Sequence, residues 1–149
     1  MPLTADYARF VSGLRFEDLP PRAIAIAKAG IIDCIGVMIA GWGEPGARLA
    51  RAAHLPPEAG KEGPSSLGLS ADRAEPATAA LLNGTAAHAL DFDDAENGHR
   101  SAVLVPAILA SMEALGASGR DMLLGYVAGY EIWAELVTRE QDLLYDRGW

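Results

Sequence analysis

A chain of 149 residues, half of them hydrophobic and 21% charged, is long enough for one domain with its own core and is globular rather than disordered. Its net charge of -8, with Lys28 and Lys61 as the only lysines, leaves no basic patch to neutralise phosphates and argues against nucleic acid as a partner. The single cysteine, Cys34, excludes an intrachain disulfide framework, a thiolate zinc cluster and an iron–sulfur centre, each of which needs several thiolates.

The opening "MPLTADYARF" has no basic segment followed by an apolar one, so it does not read as a secretory signal, and a cytoplasmic location is the default expectation. Thr4 is placed to cap a first helix over about Ala5 to Leu14. Pro20 and Pro21 stand where a second helix begins, since proline suits a first turn. The apolar run from Ala23 to Trp42 raises the question of a membrane span. It contains Lys28 and Asp33, both costly at membrane depth, so the expectation is a buried helix of a soluble protein that ends near Gly41 or Gly43. Apolar nearly all round, it suits the middle of a larger bundle.

A third helix, "GARLARAAHL", should stop at Pro56-Pro57. The Gly/Pro/Ser-rich stretch from Pro56 to Pro76 reads as a surface connection, with "SSLGL" as a short extended piece. A fourth helix covers about Pro76 to Leu90. A fifth starts near Ser101 and ends at Gly116, with Pro106 in its first turn or kinking it. Ser118 caps a sixth, with Asp121 at the capping-box spacing. Leu123, Tyr126, Val127, Tyr130, Trp133 and Val137 then fall on one apolar face. Strand patterns are nearly absent and there is no internal repeat. The prediction is an all-α helical bundle in one unit over residues 1–149.

Between the fourth and fifth helices lies "HALDFDDAENGHR", His88 to Arg100, with Asp91, Asp93, Asp94 and Glu96 beside His99 and Arg100. As a calcium loop it fails at Ala95, Glu96 and Ala102, where an EF-hand needs a ligand, a glycine and a bidentate glutamate. "DDAEN" resembles the aspartate-rich magnesium signature of prenyl-diphosphate enzymes, but Asn97 ends it and no second such motif follows. For acid/base chemistry, histidine is the side-chain type suited to proton transfer at physiological pH, which points to His99, while Arg100 offers a fork to a carboxylate and Ser101 with the first amides of the next helix can receive an anion. Composition alone favours a solvated acidic loop.

Elsewhere, Asn83-Gly84-Thr85 matches a glycosylation sequon but falls inside a predicted helix. His54 reads as a surface residue, and Cys34 as inert packing. Glu131 and Glu135 read as a solvated face. His88 fits either a core histidine or a neighbour that supports the loop.

Three groups of residues are similar to the MmgE/PrpD family: Asn83-Gly84-Thr85-Ala86-Ala87-His88, then Asp91-Phe92-Asp93-Asp94, then His99 followed by Ser101, set between "ARFVSGLRFEDLPPRAIAIAKAGIIDCIGVMIAGWGEP" and "AVLVPAILASMEALGASGRDMLLGYVAGYEIWAEL". The resemblance covers nearly the whole chain. It implies the N-terminal part of a large helical domain, with the α/β lid domain and the remainder of the helical domain absent from these residues. The family includes 2-methylcitrate dehydratase, cis-aconitate decarboxylase and an iminodisuccinate epimerase.

The resemblance further implies a homodimer in full-length form, chemistry with no cofactor and no metal, and Asp91 and His99 on active-site positions. Ala95 replaces a threonine common in the decarboxylase branch, the loop before His99 is shorter than in that branch, and Arg100 stands where the family usually has proline. The family commonly continues past "DRGW" with His-Pro-Thr, and its active-site lysines lie further downstream.

The expected function is a lyase that dehydrates a small polycarboxylate such as 2-methylcitrate. His99 is the acid or base, Asp91 orients it, and Arg100, Ser101 and His88 contact substrate. The competing expectations are a catalytically inactive helical module and an epimerase or isomerase on an amino-dicarboxylate.

Overall fold

The computed structural model describes residues 2–55, 62–68, 70–94 and 98–139. Several sequence expectations fall outside these residues: the Pro56-Pro57 helix stop, Leu69 of "SSLGL", the Ala95–Asn97 part of the acidic loop, and the tail from residue 140. The described chain runs α1 (Leu3–Gly13), a 3-10 turn (Phe16–Asp18), α2 (Pro21–Gly41), α3 (Pro45–His54), β1 (Ser65–Ser66), β2 (Arg73–Ala74), α4 (Pro76–His88), α5 (Arg100–Leu115) and α6 (Gly119–Arg139). It is a mainly helical fold with one small antiparallel pair, Ser65 opposite Ala74 and Ser66 opposite Arg73.

Proline sets three of the helix starts. Pro21, Pro45 and Pro76 each occupy the first helical position, where a missing N–H costs nothing and the fixed φ is already helical. α1 starts at Leu3 with Pro2 before it, so Thr4 lies inside the helix instead of capping it. Ser118 does cap α6: its Oγ accepts from the Asp121 N–H at 3.3 Å, while Asp121 Oδ2 accepts from the Ser118 N–H at 2.8 Å and hydroxyl at 2.7 Å. These bonds hold the Asp121 carboxyl below its usual range.

α4 lies between α2, α3 and α5, and small residues let the backbones close up. A Cβ on Gly41 would sit 2.1 Å from the Ala86 carbonyl oxygen, so α2 reaches α4 only through glycine. The α4–α5 contact has a related cause. Pro106, the seventh residue of α5 and not in its first turn, has no N–H to give the Ala102 carbonyl, and a Cβ on Gly84 would lie 3.2 Å from that oxygen. The main core gathers Ala27, Ile31, Cys34, Met38, Val105 and Tyr126 with alanines of α4 and α5. A second cluster, Leu67, Ala74, Ala79, Leu82 and Ala110, lies under the β pair.

α2 is long and apolar enough to cross a membrane by length and composition alone. One face of it, through Ala27, Ile31, Cys34 and Met38, is core, while Ile26, Ile32 and Ile39 are exposed. The β pair is pinned by side chains. Asn83 accepts from the Gly68 N–H and donates to the Ser66 carbonyl, both at 2.9 Å, and Glu113 accepts from the Ser66 N–H at 2.6 Å and hydroxyl at 2.5 Å. Asn83 of the sequon is therefore buried, with both ends of its amide hydrogen-bonded.

Candidate active site

The loop between α4 and α5 is fixed at both ends by its own acids. His88 is the last residue of α4, and the Asp91 N–H donates to the His88 carbonyl at 3.1 Å. Asp91 itself takes a left-handed φ of 56°, a conformation aspartate tolerates better than most side chains. At the other end, α5 has no cap from its own N-cap residue, His99. Asp94 does that work from five residues earlier, accepting from the Ser101 N–H and hydroxyl at 3.0 Å each. Gly98 has φ 116°, and a Cβ there would lie 2.9 Å from the Trp133 ring, so this approach to α5 requires glycine.

Asp93 is the centre of the arrangement. Its side chain has no solvent exposure, and its two oxygens meet two rings: Oδ1 lies 3.2 Å from His88 Nδ1 and Oδ2 lies 3.0 Å from His99 Nδ1. On the far side of its ring, His99 Nε2 lies 3.5 Å from Asp91 Oδ1, and Asp91 is 77% exposed. The two imidazoles are 4.2 Å apart, tilted by 55°. Four groups thus alternate carboxylate, imidazole, carboxylate, imidazole.

Beneath them runs a second polar chain. The Ser101 hydroxyl meets the Tyr126 hydroxyl at 2.7 Å, the Tyr130 hydroxyl donates to Asp94 at 3.3 Å, and the Cys34 thiol donates to the Ser101 carbonyl at 3.3 Å. Burial, reinforced by Asp93, Asp94 and Asp33, pushes the Cys34 thiol up to about 12, so it stays protonated. Burial also raises Tyr126, against the lowering effect of Ser101. The Arg100 guanidinium is buried and stacks 4.8 Å over the Tyr130 ring.

An open cavity of about 750 Å³ adjoins the loop; Pro45, Leu81, Thr85, Val103 and Trp133 line it together with His88 and His99. Asp91, Arg100 and Ser101 are not among its lining residues. The structure therefore brings together Asp91, His99 and His88 of the expected site. It turns Ser101 and Arg100 into the packing against α6. Asp93, which composition alone would leave in a solvated loop, is buried instead, and its place between two imidazoles ties the loop down. The signal for this was present as a carboxylate about midway between His88 and His99. The contributions of Tyr126 and Tyr130 were hidden because hydroxyl-bearing rings four apart read as part of an apolar face.

His88, Asp91, Asp93 and His99 each offer one ligand-type atom, all within 4.8 Å of one another. The set of two imidazoles and two carboxylates is one that zinc-class ions accept. As folded, the cluster is held by the contacts of Asp93 with the two Nδ1 atoms.

The family description MmgE/PrpD N-terminal domain matches residues 5–143. The cis-aconitate decarboxylase of Homo sapiens is 30% identical over 146 residues, covering 91% of this chain and 29% of that protein. That of Mus musculus is 30% identical over 142 residues, with the same coverages of 91% and 29%. The cis-aconitate decarboxylase-like protein oryM of Aspergillus oryzae is 30% identical over 159 residues, covering 99% of this chain and 32% of that protein. The chain thus spans less than a third of the length of these relatives. No solved structure gives a significant match.

Proposed function

The chain belongs to the MmgE/PrpD family, matching its N-terminal domain, and from that premise we propose that it forms one wall of the active site of a lyase acting on a small polycarboxylate by acid–base chemistry. One observation carries the reading: an imidazole, His99, is set on a cavity wall with a carboxylate facing each of its nitrogens. Elimination requires removal of a proton next to a carboxylate and protonation of the departing hydroxyl. His99 Nε2 supplies the acid or base. Asp91, exposed beside it, orients the ring or a substrate hydroxyl.

His88 contacts substrate from the same wall. The hydroxyl of Ser101 is committed to Asp94 and Tyr126, so Ser101 contributes by fixing the start of α5 and the position of His99. Arg100 keeps a buried positive charge one residue away. The remaining walls would come from chain beyond these residues, so the isolated 149 residues should turn over little or nothing.

Within this reaction class, dehydration of 2-methylcitrate is the preferred reading, resting on Ala95 and the short loop before His99. Decarboxylation has independent support in the similarity to cis-aconitate decarboxylases of Homo sapiens and Mus musculus. A substrate panel followed by proton NMR, run on the longest natural polypeptide that carries this sequence, separates the readings. New alkene signals from 2-methylcitrate mean dehydration, and loss of carbon dioxide from cis-aconitate means decarboxylation. Deuterium exchange of an amino-dicarboxylate without elimination means epimerisation. No turnover of any of them overturns the lyase assignment and leaves a helical assembly module.

A further inference from the structure

His88 and His99 share one acceptor. Both of their Nδ1 atoms face Asp93, whose side chain is fully buried. An ionised carboxylate carries no hydrogen, so each Nδ1 must be the donor. A neutral imidazole has a single N–H, and in both rings the contact with Asp93 spends it. Each Nε2 is then a bare lone pair. This is the reverse of the form that neutral histidine prefers in water.

The surroundings fit this assignment. His99 Nε2 stands 3.5 Å from Asp91 Oδ1, too far for a hydrogen bond and opposite another acceptor. Two acceptors facing each other make a gap that a proton on the ring, or a hydroxyl from a ligand, would bridge. His88 is half exposed, and its ring lines the same cavity as that of His99.

We propose that Asp93 is a positioning residue that holds both imidazoles in the Nδ1–H form, so that one cavity wall presents two Nε2 groups, His99 and His88, as an acid–base pair. The inference rests on the lyase reading for its chemistry, although its tautomer statement does not. In the elimination, His99 Nε2 takes the proton next to the substrate carboxylate. The electron pair of that C–H bond forms the new C=C bond as the C–O bond breaks. The hydroxide leaves as water with a proton from Nε2 of His88, which begins the step as the imidazolium. Exchange with solvent water returns the proton to His88 and removes it from His99, and no oxidant or further reactant is consumed.

The decisive measurement is nitrogen-detected NMR of histidine-labelled chain, with the rings neutral. His88 and His99 should both show a protonated Nδ1 and an unprotonated Nε2, whereas His54, exposed at the end of α3, should show the opposite form. A spectrum in which either ring of the pair carries its hydrogen on Nε2 overturns the proposal, and this arm needs no variant. In Asp93→Asn, the amide has one acceptor and one donor end, so one ring of the two should switch to the Nε2–H form; two unchanged rings also overturn it.

In the longest natural polypeptide, His88→Ala should lower kcat by about 10²-fold with KM within about threefold. Unchanged kcat removes His88 from the chemistry. A wild-type protein that shows the expected tautomers but no lyase turnover contradicts the lyase reading and leaves the role of Asp93 standing.

Discussion

Two loops of this molecule are tied to helices by buried side chains, and they differ in what those side chains leave over. At the β pair, Asn83 and Glu113 meet backbone and hydroxyl groups of Ser66 and Gly68. At the acidic loop, Asp93 meets one nitrogen of each of two imidazoles, and the other nitrogen of each remains. The first arrangement closes on itself and serves stability. The second holds two titratable rings at a cavity while leaving each a site for a proton. Buried polar clusters alike in size can thus be told apart by what they leave unspent.

Breaking the loop's open side should have the largest effect, and most of it should fall on chemistry. His99→Ala, in the longest natural polypeptide, is expected to lower kcat/KM by about 10²- to 10⁴-fold. The thermal midpoint should fall as well, because Oδ2 of the buried Asp93 loses its partner and only the contact with His88 remains. Unchanged kcat/KM would remove His99 from the reaction.

The converse change sits at the β pair. Asn83→Ala strands the Gly68 N–H and the Ser66 carbonyl, both part-buried. Leaving such a group without a partner costs about 1–3 kcal/mol, which would appear as a lower urea midpoint. The tautomers of His88 and His99 should stay as they are. If Asn83→Ala also switched a ring, the two regions would be one cooperative unit and the contrast between them would fail.

How much of this contrast could be read in advance follows from the range of each interaction. The six helices were legible because prolines, glycines and period-3.6 apolar positions act within a few residues. Pro21, Pro76 and Gly116 fall within a residue or two of observed helix ends. β2 was not legible: Arg73 and Ala74 form a strand only because Ser65 and Ser66 lie opposite, held there by Asn83 and Glu113.

The pairing of Asp91 with His99 came from family resemblance, since eight residues of loop fix no distance. The burial of Asp93 between two imidazoles and the contact of Ser101 with a hydroxyl of α6 were beyond local patterns. A buried aspartate and a solvated one are spelled alike, and the Tyr126 hydroxyl that meets Ser101 lies 25 residues further along.

The smallest expected effect tests the floor of the acidic loop. Cys34 is a thiol pushed up to about 12 by burial first and by Asp93, Asp94 and Asp33 after it. Iodoacetamide at mildly alkaline pH should therefore leave folded Cys34 unmodified and alkylate it once urea unfolds the chain. The same shift fixes a sign in stability. The folded thiol keeps its proton to higher pH than the unfolded one, so between the ordinary thiol value of 9.0 and about 12 the unfolded chain binds fewer protons. The contribution of Cys34 to stability therefore falls across that window. Cys34→Ala starts less stable, because it loses the thiol packing and the hydrogen bond to the Ser101 carbonyl. Its deficit against wild type should then narrow as pH rises from 9.0 towards 12, read as converging urea midpoints. A deficit that stays constant across the window would mean that neither burial nor the three acids hold the folded thiol above the ordinary value, and the floor of the site would then be open to water.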